Sequence, residues 1–481
     1  MNIDGIKNYI RKNPFSILRD LALNTNVQLY LVGGCIRDYL LKRRCNDYDF
    51  AIKGDALAFA QQVAKELKGT FVLLEEERGT ARVIYQSKNQ TINLDFNNLK
   101  GKDIHADLEM RDFTINAIAI DLSSPNIEFI DHKNGLKDIE AKFIRIISNK
   151  VFEDDPLRML RAVRLSSELG FEIEKGTWET IVKLKGLISQ VSAERVTNEI
   201  YLILVAKNSS FFIAQLDKLG LLEQIIPEIT PLKKLKQDGY HHLPVWEHSL
   251  ATLTQLEGIV SNLEKLFPKW HTKIRRYLNQ SICGEHNRLV NLKFISLLHD
   301  IGKFGTMRQE FSGRIRFIEH EVLGSEISSK IANRLKLSTK EKKLMTLIIR
   351  HHMRPGFLVE VPTITNKALY RFFRDTNQEG VSVLLLALAD RYATLGPNVS
   401  PEDIHRYYQI ISFIIDKFYS PTPTIIPPKI LKGGEIMAHF GLKSGPIIGE
   451  LLKAVEEEFV DKKVKNKEDA LEFIATLLKG K

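Results

Sequence analysis

Leu31-Val32-Gly33-Gly34-Cys35-Ile36-Arg37-Asp38 is followed closely by Asp47-Tyr48-Asp49-Phe50, and together they imply an α/β unit built around a phosphate-handling turn. An apolar strand runs into a Gly-Gly pair, where the missing side chains let a phosphate come close to the backbone. Two carboxylates then stand at i and i+2. Residues two apart on a strand project to the same face, so Asp47 and Asp49 can share one site and hold Mg²⁺ there. A divalent cation set between a triphosphate and an attacking hydroxyl serves in-line displacement at the α-phosphate. The pattern predicts nucleotidyl transfer, with Gly33, Gly34 and Arg37 around the triphosphate.

Working outward, 481 residues suffice for two to four domains with ample cores. The 44% apolar and 27% charged content is that of an ordinary globular chain. A formal charge of +10 and a pI near 9.2 fit a polyanionic partner and fit an acidic protein or a membrane surface poorly. The start, Met1-Asn2-Ile3-Asp4-Gly5, lacks the basic and apolar regions of a signal peptide, and no apolar run is long enough to span a bilayer. A cytoplasmic location with no membrane partner is expected. Cys35, Cys45 and Cys283 lack CxxC spacing, so neither disulfides nor a zinc knuckle is implied.

Strand-like runs at Val27–Val32, Asp49–Ile52, Ala81–Tyr85 and Ile92–Phe96, with a helical stretch from Ala56 to Lys68, give residues 26–145 an α/β character. Beyond about 150, helical periodicity dominates. Breaks are expected near Pro227, Pro231 and the Lys233–Lys236 cluster, and again at Pro421-Thr422-Pro423-Thr424-Ile425-Ile426-Pro427-Pro428. The expected domains are 1–145, 146–225, 226–420 and 421–481, and the expected class is α+β.

Arg111-Asp112-Phe113-Thr114-Ile115-Asn116-Ala117, placed after the first motif, resembles the second signature of the class II tRNA nucleotidyltransferase and bacterial poly(A) polymerase family. That resemblance implies a polymerase-β-like head. Arg111 can hold a phosphate oxygen bidentately, while Asp112 and Asn116 suit a sugar hydroxyl or an orienting contact. Asp95 is a candidate third catalytic carboxylate or an ordinary edge-strand aspartate. Asp131-His132-Lys133-Asn134-Gly135 resembles the turn that joins head to neck.

In Glu153-Asp154-Asp155-Pro156-Leu157-Arg158-Met159-Leu160-Arg161, Pro156 suits a first helical position and Asp155 the cap before it. Asp155 and Arg158 also set an acceptor beside a donor fork. In the family this motif, in which Arg161 also counts as a nucleotide-binding position, selects CTP and ATP without a template. Glu194-Arg195-Val196-Thr197-Asn198-Glu199 resembles the last signature, with either a helix-stabilising or a direct role. Two features depart from the family: Met110 stands where a second Arg is usual, and the stretch from Asp95 to Arg111 is short. The short stretch is shared with the branch that adds only CC and leaves the terminal A to a separate A-adding enzyme.

His248, His299-Asp300, His320, the pair His351-His352 and Asp390 follow in an order that resembles the HD phosphohydrolase superfamily. His and Asp from separate helices can converge on one or two divalent metals, of unspecified identity, that generate hydroxide for a phosphate ester. The sequence leaves open whether His351 or His352 is the ligand of its pair. The basic, aromatic stretch Pro268–Tyr277 suits an RNA backbone or a solvated helix face, and Gly434–Lys481 resembles the tail of HD-bearing relatives. The expected function is template-independent addition of CCA, or CC alone, to tRNA from CTP and ATP. Its rivals are a poly(A) polymerase and an HD phosphohydrolase whose head binds RNA.

Overall fold

A computed structural model describes residues 3–87, 90–124, 126–420 and 427–479. The chain divides into two compact units, Met1–Arg195 with Gln215–Ile225, and Val196–Ala214 with Ile226–Lys481. Residues 421–426 of the expected proline-rich break lie outside the described residues.

The first unit holds a seven-stranded mixed sheet: β1 (Gln28–Val32), β2 (Asp47–Lys53), β3 (Thr70–Glu75), β4 (Thr80–Ser87), β5 (Gln90–Asn98), β6 (Ala119–Asp121) and β7 (Glu128–Ile130), in the order β3-β4-β5-β2-β1-β6-β7. Only β2 and β5 run parallel. The four strand-like runs read from the sequence became β1, β2, β4 and β5, the first a residue shorter and the other three longer at both ends. The helix Ala56–Leu67 starts where Asp55 accepts from the Ala58 N–H at 3.0 Å, and ends at Lys68 in the left-handed conformation. Its buried residues, Ala56, Phe59, Ala60, Val63, Ala64 and Leu67, follow the helical repeat and face the sheet. Beneath it Phe50 and Phe96 stack with centroids 4.9 Å apart, fixing β2 against β5.

The expected turn at 131–135 is present. Asp131 accepts from the N–H groups of Gly135 and Leu136 at 2.6 and 3.0 Å. A Cβ on Gly135 would lie 2.2 Å from the Thr114 carbonyl oxygen, so only glycine fits there. The helix expected at Pro156 begins instead at Arg158, after Leu157. Asp155 closes a tighter turn by accepting from the Leu157 N–H at 3.2 Å, which takes over the capping role.

The second unit is helical. Gly380–Ala393 is buried continuously from Gly380 to Ala389 and therefore apolar on every side, with Val245–Ser261 and Pro401–Tyr419 packed against it. A buried ion pair fastens residues 204–210 to this body. Lys293 Nζ donates to the carbonyls of Leu204 and Ala206 and to Glu257, and Glu257 caps the chain at Ser209 and Ser210. Three C-terminal helices, Gly433–Phe440, Pro446–Val460 and Lys467–Lys479, share a small core of Ile436, Ile448, Leu451, Val455 and Ile474. Arg371 and Arg374 on Glu457, with Lys367 on Glu458, hold this tail to the Asn366–Thr376 helix. No helix among the described residues is long and apolar enough to cross a membrane.

Candidate active site

In the first unit β1 ends at Val32, which lies opposite Asp49 of β2, and Asp49 lies opposite Asp95 of β5. The Gly-Gly turn is thus delivered beside the Asp-x-Asp pair by strand register. Gly33 has φ +86°, and a Cβ there would sit 3.2 Å from Arg111 Nη1 and 3.5 Å from Asp49 Oδ2. A side chain at Gly33 would therefore wedge between the cation and the carboxylate. Asp47 accepts from Asn93 Nδ2 at 2.7 Å. The surrounding protein mass pushes the Asp49 carboxyl above the ordinary aspartate range, and the charges of Asp95 and Asp47 add to this against the opposing Arg111 and Arg82. Oxygen donors crowded until one resists ionising fit a hard divalent cation.

Arg111 is anchored from behind: its Nε and Nη2 donate to Asp107 at 3.1 and 2.9 Å, leaving Nη1 toward Gly33. Arg37 is buried and turned inward, donating to both oxygens of Asp38 and to Asn116. Asn116 donates to Asp112 at 3.0 Å, and Asp112 pairs with Arg161 at 2.8 Å. This relay joins the turn after β1 to the Arg158–Leu169 helix. Asp155 is paired with Arg195 at 2.8 Å, and Arg158 donates to the carbonyls of Met110 and Val151. Gly33, Gly34, Arg37, Asp49, Arg111, Asp112, Asn116, Asp155, Arg158 and Arg161 all line one cleft of about 460 Å³, whereas Asp47 and Asp95 are not on its wall. Asp95 gives both oxygens to the Arg82 fork, at 2.7 and 2.8 Å.

The second unit carries another polar centre. Asp300 is buried between two groups of rings: His320 at 3.3 Å and His352 at 3.8 Å on Oδ1, and His299 at 3.3 Å and His248 at 3.8 Å on Oδ2. Asp390 is 2.8 Å from His248. The Nδ1 atoms of His299, His320 and His352 each face a backbone carbonyl, of Ser296, Phe317 and Ile349, at 2.8, 2.8 and 2.6 Å. A carbonyl can only accept, so Nδ1 carries the proton and the Nε2 atoms meet around Asp300 as metal-binding lone pairs. His299 Nε2 is buried without a hydrogen-bond partner, a donor atom suited to a cation, while Asp300 Oδ2 lies 2.7 Å from Lys303 Nζ. Burial and the neighbouring His320 and His299 push the His352 ring down to about 3. These residues fit one or two divalent cations, Asp300 being common to the His248-His299 and His320-His352 groups.

Family models match the chain in order: the poly A polymerase head domain over 29–145, the RNA and SrmB-binding site of polymerase A over 170–233, the HD domain over 245–395, and tRNA nucleotidyltransferase domain 2 over 428–475. The A-adding tRNA nucleotidyltransferase of Deinococcus radiodurans is 31% identical, the alignment covering 92% of this chain and 94% of that one. The chain belongs to the tRNA nucleotidyltransferase family. The CC-adding tRNA nucleotidyltransferase of Thermus thermophilus is 30% identical, covering 95% of each chain. A solved CCA-adding enzyme with CTP shares the fold, with a TM-score of 0.66 at 20% identity over 97% of this chain and 96% of that one. HD and nucleotidyltransferase domains of this kind use divalent metals.

Of the pair that the sequence left open, His352 is the ring that meets Asp300 and His320, and His351 does not join them. His351 ends the Thr339–His351 helix half-buried, and a one-residue step turns the side chain by roughly 100°. His241, which approaches His248 and Asp390, and the Arg82 clamp were not foreseen. The Tyr240-His241-His242 run just ahead of His248 was the available signal for the first. Arg82 had none short of the β4–β5 register.

Proposed function

We propose that the chain adds nucleotides to the 3′ end of tRNA without a template, drawing on CTP and ATP, and works in the cytoplasm where that substrate is made. The observation that carries this reading is one cleft that collects Gly33, Asp49 and Arg111 on one side and Asp155 and Arg158 on the other. Asp47 and Asp49 would hold Mg²⁺, which supplies charge neutralisation and an acidified RNA 3′-hydroxyl. Arg111, braced by Asp107, offers its free Nη1 to a phosphate oxygen, and Gly33 leaves room for it. Asp155, held by Arg195, and Arg158 present the acceptor and donors that would read a base edge. Arg37, Asn116, Asp112 and Arg161 keep the two walls in register. At the second centre His248, His299, Asp300, His320, His352 and Asp390 would hold divalent metal for hydrolysis of a phosphate ester.

A second reading, addition of CC alone with a partner enzyme supplying A, is favoured by the link after β5. Five residues separate Asn98 from the Ile104–Glu109 helix, and the Lys100 N–H donates to Asp107 at 3.1 Å, so the link is short and pinned. Incubating tRNA that lacks its CCA end with CTP, ATP or both, and resolving products at single nucleotides, tests these readings. Three additions mark CCA synthesis, two the CC branch. A long A ladder marks a poly(A) polymerase, and no addition refutes the proposal.

A further inference from the structure

The wall of the Asp300 centre includes a feature that metal binding does not use. Strands Met307–Gln309 and Ile315–Phe317 form a hairpin whose base touches the His-Asp cluster directly. The Phe317 carbonyl accepts from His320 Nδ1 at 2.8 Å, and Lys303, which is 2.7 Å from Asp300, lies over the Phe317 ring. Arg308 is paired in register with Arg316, and Arg314 projects to the same face two residues along. Like charges set directly opposite each other are destabilising in a sheet. Glu310 relieves Arg316 at 2.7 Å, yet among the described residues Arg308 and Arg314 have no ion-pair partner. At the tip stands Phe311, fully exposed. Arg314 and Arg316 also border the cavity of about 710 Å³ that opens onto Asp300.

We infer that this hairpin is an RNA-docking arm that makes the Asp300 centre act on the end of a polynucleotide strand rather than on a free mononucleotide. The inference rests on the phosphohydrolase reading of that centre. An unbalanced arginine face suits an anionic partner, and a bare aromatic tip suits a flat apolar one. A single strand of RNA supplies both at regular spacing, by phosphate contact and by base stacking. From Phe317 to the turn the arm extends about 13 Å, at roughly 3.3 Å per residue, room for a few stretched nucleotides. A terminal phosphate would lie at Asp300 while a base further back stacks on Phe311. Hydrolysis there adds water across the terminal P–O bond, releasing inorganic phosphate and leaving a hydroxyl, with its proton, on the RNA.

The test uses the full chain and a short single-stranded oligoribonucleotide with a 3′-terminal phosphate, carrying 4-thiouridine a few positions from that end. Ultraviolet crosslinks should map to residues 307–317 and fall at least five-fold in Phe311→Ala. Crosslinks only elsewhere overturn the proposal. In parallel, with added Mn²⁺ or Ni²⁺, Arg308→Ala/Phe311→Ala should lose at least ten-fold in kcat/KM on the oligonucleotide while p-nitrophenyl phosphate hydrolysis changes less than two-fold. Equal losses on both substrates would show a merely structural arm and refute the docking role. If the wild type hydrolyses neither substrate, the phosphohydrolase reading fails and with it the assignment of a substrate to that centre, while the crosslink map still decides whether the hairpin holds RNA.

Discussion

Replacing Gly33 by Ala puts the geometry of the nucleotide cleft under direct strain. The residue sits at φ +86° and ψ −151°, a region that costs an L-residue on the order of 1–3 kcal/mol. The new Cβ would lie 3.2 Å from Arg111 Nη1, and the guanidinium cannot simply retreat because Asp107 holds it through two other nitrogens. The turn and Arg111 must therefore move apart. A misplaced charge-assisted hydrogen bond to phosphate is worth about 1.5–3 kcal/mol. At 1.36 kcal/mol per decade this gives a loss of roughly 10- to 100-fold in kcat/KM for CTP. Steady-state incorporation into truncated tRNA reads the kinetic part, and a circular-dichroism melt reads a fall of a few degrees in Tm. Unchanged kcat/KM would refute the claim that Gly33 is glycine to let Arg111 and the phosphates come together.

Arg82→Gln leaves Asp95 without its counter-charge beside Asp49, and nucleotide addition should fall about ten-fold. The double variant with Asp95→Asn should be no worse than Asp95→Asn alone, since partners in one ion pair do not add. A fully additive double-mutant cycle would show that Arg82 acts elsewhere. After dialysis, His352→Ala should lose bound metal by atomic absorption while His351→Ala retains it, and the reverse would overturn the ligand assignment. The Arg371 and Arg374 forks hold Glu457 below the ordinary glutamate range, and Lys367 does the same for Glu458. A depressed carboxylate contributes stability above its unfolded pKa and loses it as pH falls through the folded value. The tail helices should therefore loosen below about pH 4.5, and hydrogen exchange over 446–479 should rise there before it rises over Gly380–Ala393. Simultaneous exchange in both segments would contradict this.

The parts of the architecture that were legible in the sequence are those where chemistry and periodicity coincide. Asp47 and Asp49 could be set on one face because a strand has period two, and Gly33 announced a turn. The histidine series was legible because so many rings on separate helices have few structural uses. Edge strand β3 was not singled out, since Thr70–Glu75 lacks the buried alternation that marks a half-covered strand. Arg82 and Asp95 meet only through cross-strand register, which one sequence does not display. His351 and His352 differ by a single helical step, and only the packing of the Thr339–His351 helix distinguishes them. Arg37 was expected at the triphosphate, and it lines the cleft with Asp38 and Asn116 as its hydrogen-bond partners, two contacts that one sequence does not display.

The central claim is that the head transfers nucleotides while the Asp300 centre does separate work. It is tested most directly by comparing wild type, Asp49→Asn and Asp300→Asn in one assay, with tRNA lacking CCA, Mg²⁺, CTP and ATP. Asp49→Asn should abolish addition, and Asp300→Asn should leave its rate and product length unchanged. Addition that survives in Asp49→Asn, or vanishes in a folded Asp300→Asn, would contradict it.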